Sequence, residues 1–85
     1  GKLLAIGLNY ADHAAESKFE VPPEPLVFSK AVSCLAGPND ALVMPKTSTC
    51  TDYEAESAVL IGSTALYVSS ALALDHAAGY AVMND

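Results

Sequence analysis

An α+β fold with a curved mixed sheet is the class this sequence predicts, and three observations carry it. Short apolar runs recur between turn residues, at Leu3 to Ile6, Leu26 to Phe28, Val59 to Ile61 and Tyr80 to Met83. Only two segments, Asn9 to Ser17 and Ser69 to Ala77, have the alanine-rich composition of a helix. The resulting order of elements is strand-dominated, which suits a sheet with helices to one side better than a bundle.

Each element has a local reason. Leu3 to Ile6 is expected to be a short buried strand closed by Gly7, and Asn9 to Ser17 a short helix. Val21-Pro22-Pro23-Glu24-Pro25 cannot be helical, because proline lacks the N–H and fixes φ, so it reads as an extended connector into Leu26 to Phe28. Gly37-Pro38-Asn39-Asp40 is a turn cluster, and a hairpin-like return is expected between Ser33 to Ala36 and Ala41 to Met44. Lys46 to Thr51 reads as a polar loop leading into a long strand, Asp52 to Ile61, that stops at Gly62-Ser63. Ser69 to Ala77 is expected to be a crossover helix with Ser69 or Ser70 as N-cap and Gly79 beyond its end. Tyr80 to Met83 forms a last strand running into Asn84-Asp85.

Composition narrows the function classes. Ten acidic residues against four scattered lysines and no arginine give a net charge of −6, which argues against nucleic acid or an anionic membrane as partner. No apolar run approaches the roughly 18 residues of a membrane span, so a cytoplasmic protein is the expectation. Cys34 and Cys50 lack the close spacing of a zinc or redox pair and are read as reduced and structural. Opening on Gly1 and ending on Asn84-Asp85, the 85 residues are expected to be the N-terminal part, 1–85, of a single catalytic domain in a longer protein.

The acidic residues of DYEAESAVLIG, residues 52–62, are the strongest chemical signal. On a strand Glu54 and Glu56 share one face, roughly 6.8 Å apart at about 3.4 Å per residue, with Asp52 in the same parity. They are either an exposed strand end or a ligand set, and Asp85 closes another apolar strand. Carboxylates brought to about 4 Å would repel by roughly 4 kcal/mol per pair at an effective dielectric near 20, and a cation removes that cost. Hard oxygen donors without thiolate point to Mg²⁺, Mn²⁺ or Ca²⁺. Three of them leave about three of six octahedral positions for water or a chelating substrate.

Two further groups carry possible chemistry. His13 and Glu16 lie three apart, so on a helix they share a face, and Glu16 can hold the imidazole of a general base. Lys30 follows Leu26 to Phe28 and could place its ammonium at the rim of a cleft, offsetting the excess negative charge of three carboxylates and a dication. From the residues alone, both groups read more readily as solvated surface residues. His76 has no comparable partner in the sequence.

Taken together, AIGLNYADHAAE, EPLVFSKA, GPND, DYEAESAVLIG and ALDHAAGYAVMND resemble, in order and spacing, the fumarylacetoacetate hydrolase family, in its branch of acylpyruvate- and diketo-acid-cleaving enzymes. The resemblance implies a mixed, strand-rich, β-roll-like catalytic domain, homodimeric in the whole protein. It implies one Mg²⁺ or Mn²⁺, with Ca²⁺ as a substitute, held by Glu54, Glu56 and Asp85, which sets Asp52 aside. It implies His13 and Glu16 as catalytic residues on a short lid helix and Lys30 as a substrate-binding residue. Ser57 stands where the family commonly has a branched aliphatic, and His76 where it has an aromatic.

The expected reaction is cleavage of a carbon–carbon bond in a small anionic 2,4-dioxo acid, of acylpyruvate or diketo-deoxy sugar acid type, to pyruvate and a carboxylic acid. Oxaloacetate decarboxylation and hydroxymuconate-type isomerisation use the same kind of site and stay open. A reading of another class is a non-catalytic metal-binding or subunit-interface segment.

Overall fold

The computed structural model describes all residues, Gly1–Asp85. The chain folds as two units, Gly1–Leu42 and Val43–Asp85, each built on one antiparallel strand pair.

In the first unit β1 (Leu3–Gly7) pairs with β2 (Leu26–Lys30), running from Leu3 opposite Lys30 to Gly7 opposite Leu26. Between them sit α1 (Ala11–Glu16) and the proline connector. Helix α1 ends in a backbone motif that its residues alone do not advertise. Phe19 N–H donates to Ala14 O at 2.9 Å and Lys18 N–H to Ala15 O at 3.1 Å, while Lys18 adopts φ 58°. This is the pairing of a Schellman C-cap, with lysine in the left-handed position that glycine usually fills. A single turn of 3-10 helix at Val32–Cys34 follows β2.

In the second unit β3 (Ala55–Ile61) pairs with β4 (Ala77–Asn84). The register is regular from Ala55 opposite Asn84 to Leu60 opposite Gly79, then slips by one so that Ile61 lies opposite Ala77. Ala78 is therefore a bulge. Gly62 lies against it: a β-carbon there would come within 2.7 Å of the Ala78 Cβ.

Several expectations are corrected. The segment Ser69 to Ala77 is not a crossover helix but a series of turns ending in a 3-10 turn, Ala73–His76. Antiparallel strands need no crossover, and a segment this short is not helical without an apolar face to bury. Leu72 and Leu74, two apart and so on opposite sides of a helix, form no such face and are exposed. The turn at Gly37 to Asp40 is present, closed by Asp40 N–H on Gly37 O and by Gly37 N–H on the Asp40 carboxylate at 2.6 Å. Its flanks, however, form no strands, so there is no hairpin-like return. Strand β3 starts at Ala55 rather than Asp52, and β4 is longer than Tyr80 to Met83.

The strands expected to be buried are not. Only Ala14, on α1, is buried, at 1 % exposure. Leu4 and Ile6 of β1 and Val59, Ile61, Tyr80 and Val82 of the second hairpin are all exposed. A two-stranded sheet offers no second layer to cover either face.

Candidate metal centre and flanking groups

The end of the β3–β4 hairpin carries the acidic residues. Continuing the register one step past Ala55 and Asn84 puts Glu54 opposite Asp85, and Asp85 N–H donates to Glu54 O at 2.9 Å. Residues directly opposite in an antiparallel pair project to the same face, as do residues two apart on one strand. Glu54, Glu56 and Asp85 therefore share one face, beside Met83, which lies opposite Glu56. Opposite β-carbons lie about 4.5–5.5 Å apart.

Glu56 is half-buried, and Glu54 and Asp85 are exposed. The side chains themselves are not gathered: no cluster of three His, Cys, Asp or Glu lies close enough to hold an ion as arranged. The donor set nonetheless suits a hard dication, being all oxygen and all from one face of two hydrogen-bonded strand ends.

Asp52 has a local use. Its carboxylate accepts from the neighbouring Tyr53 N–H at 2.8 Å, before β3 begins. Asn84, which the sequence reading passed over, accepts the Glu54 N–H on its side-chain Oδ1 at 3.0 Å.

At the other end of this hairpin His76 also has a partner. Its Nδ1 is 2.9 Å from Ser63 Oγ, and Gly62 N–H donates to His76 O at 2.8 Å, so the two bonds clasp the base of the 62–76 loop. A separation of 13 positions hid the Ser63–His76 pair from a reading based on near neighbours.

In the first unit His13 and Glu16 lie on α1, both exposed, with no hydrogen bond between their side chains. The His13 N–H lies 3.1 Å from the Asp12 carboxylate. Lys30, at the end of β2, is half-buried, and its Nζ lies 5.8 Å from the centre of the Phe28 ring. The two side chains share a face, two apart on one strand, and the aromatic quadrupole attracts the ammonium. An open hollow of about 290 Å³ lies between the end of β1 and the proline connector, at Gly7, Leu8, Val21 and Pro25. None of the candidate residues lines it. No helix is long and apolar enough to cross a membrane.

Comparison with known proteins accounts for the whole chain. Residues 2–85 match the family model described as fumarylacetoacetate hydrolase C-terminal. A protein of Burkholderia ambifaria, provisionally named a hydrolase without stated substrate, is 55 % identical over all 85 residues. A Sphingomonas protein named 2,4-didehydro-3-deoxy-L-rhamnonate hydrolase is 54 % identical over the same residues. The chain spans 30 % of the length of each of these relatives.

Proposed function

Since the chain belongs to the fumarylacetoacetate hydrolase family, we propose that the protein carrying it is a divalent-metal-dependent hydrolase that cleaves a carbon–carbon bond in a 2,4-dioxo acid. The observation that carries this reading is the strand pairing that puts Glu54, Glu56 and Asp85 on one face of the β3–β4 hairpin end. The Sphingomonas relative's name supports a diketo-deoxy sugar acid as the substrate class.

Glu54, Glu56 and Asp85 would hold one Mg²⁺ or Mn²⁺. When bound, that ion supplies the positive charge that a 2-oxo carboxylate chelates and that stabilises negative charge developing on the pyruvyl fragment. His13, which Glu16 three residues on along α1 would turn to orient, takes a proton from the water that attacks the distal carbonyl. The bond between that carbonyl carbon and C3 of the pyruvyl unit then breaks, and its electron pair leaves with the pyruvyl fragment. Reprotonation at C3 completes pyruvate, and the attacked carbon departs as a carboxylic acid. Lys30 offers its ammonium to the substrate's anionic end. The remainder of a mixed β-roll-like domain, a homodimeric assembly and a cytoplasmic location complete the proposal.

The test is turnover by the full-length protein of a panel of diketo-deoxy sugar acids, acylpyruvates and oxaloacetate, read as pyruvate release, and of hydroxymuconate-type isomers, read as a change in ultraviolet absorbance. The expected result is release from a dioxo acid that requires Mg²⁺ or Mn²⁺, stops with chelator, and falls at least 100-fold in Glu56→Gln, more than the roughly 10–100-fold that loss of a group merely supporting a ligand costs. Equal release in chelator, or turnover of oxaloacetate or a muconate isomer alone, overturns it.

A further inference from the structure

The pairing at the open end of the β3–β4 hairpin is incomplete in its backbone and completed by a side chain. In an antiparallel ladder, two opposite residues in a hydrogen-bonded pair exchange both N–H···O bonds. Glu54 and Asp85 make one of these, Asp85 N–H to Glu54 O at 2.9 Å. The Glu54 N–H that would complete the exchange instead goes to Asn84 Oδ1 at 3.0 Å, a residue 30 positions away in sequence. Both hydrogen-bonding groups of the Glu54 main chain are therefore tied to the last two residues of β4 and its extension.

The consequence bears on the acidic face. Glu54 stands just before β3, where a pair with a single bond opens more readily than one inside the ladder. Two bonds, one on each side of the Glu54 residue, fix the distance between the backbone that carries Glu54 and Glu56 and the backbone that carries Asp85. The chemistry of the acceptor also fits. An amide oxygen accepts the N–H without charge, whereas a carboxylate there would add a fourth negative charge beside Glu54, Glu56 and Asp85.

We propose that Asn84 is a positioning residue: its side-chain oxygen holds the Glu54 strand end at the spacing at which Glu54, Glu56 and Asp85 can close on one dication. This rests on the metal reading above. Asn84 is not itself a ligand.

The experiment compares full-length wild type, Asn84→Ala, Asn84→Leu, Asn84→Asp and Glu56→Gln, using Mn²⁺ alone as probe. Binding is followed by calorimetry, and amide hydrogen exchange is read at Glu54 and across β1 and β2. In Asn84→Ala the Glu54 amide should exchange at least tenfold faster, with β1–β2 unchanged, and the Mn²⁺ dissociation constant should rise about tenfold or more, as for loss of a supporting hydrogen bond around a metal. Asn84→Asp keeps an acceptor and should restore Glu54 protection. Asn84→Leu, which removes the acceptor at similar volume, gives the same readout as Asn84→Ala should the alanine variant not fold. Unchanged exchange and Mn²⁺ affinity in Asn84→Ala, with affinity lost in Glu56→Gln, overturn the positioning role alone. Wild type that does not bind Mn²⁺, or Glu56→Gln that binds it equally, overturns the metal reading and this proposal with it.

Discussion

Lys18 shows how one residue sets the end of an element. It occupies the C′ position of α1 at φ 58°, where a side chain crowds the backbone by roughly 1–2 kcal/mol and glycine does not. Replacing it should relieve that crowding while keeping the two capping bonds from Lys18 and Phe19 N–H. Lys18→Gly is therefore expected to raise stability by about 1 kcal/mol, read as a higher urea midpoint with the same slope. A lower midpoint would mean that the lysine side chain contributes more than its conformation costs. Glu54, Glu56 and Asp85 are residues of another kind, because the proposed site needs both their carboxylate oxygens and their shared face. The Glu54–Glu56 relation follows from the two-residue period of a strand, and Asp85 joins them through the strand register.

At the scale of elements the β3–β4 hairpin is held at both ends by side chains as well as by its ladder. Asn84 ties the acidic end, and Ser63 with His76 clasps the loop end. Next to that clasp Gly62 faces the bulge at Ala78, with room for hydrogen but not for a methyl group. Gly62→Ala is expected to destabilise by about 1–3 kcal/mol, the usual cost of forcing extra volume into a packed contact. Amide exchange in β4 should speed up first around Ala77 to Gly79. A variant with wild-type exchange there would show that the bulge yields without cost. The 62–76 loop itself returns between antiparallel strands, so it needs only turns and one 3-10 segment, and the alanine-rich sequence does not become an α-helix.

For the whole molecule, apolar surface is the dominant fact: one residue is buried while large hydrophobic side chains from both hairpins face solvent. Open apolar faces of this extent on a hairpin are surfaces for further layers. The proposed chemistry likewise belongs to the full-length protein, since the chain spans 30 % of its relatives. There, His13→Ala should lower kcat by about 100-fold or more, the scale of a lost general base, while Mn²⁺ affinity stays at wild-type level. Unchanged kcat would remove His13 from the mechanism, and loss of Mn²⁺ affinity would make its role structural.

By itself the sequence determined the family, the positions of four strands and the first helix, and the turn at Gly37 to Asp40. These depend on near neighbours: proline and glycine placement, apolar runs, and the two-residue alternation of a strand. Tertiary structure alone decided which strands pair and in what register. It therefore also decided that Asp85 stands opposite Glu54, that Asn84 completes the Glu54 pairing, and that Ser63 meets His76. It decided too that Ser69 to Ala77 is not helical, because a short segment takes its conformation from the apolar surface it can bury, and the leucines of this one stay exposed. The physical reason is common to all of these: hydrogen bonds between residues 13 to 31 positions apart exist only after the chain has folded back on itself, and no local propensity encodes them.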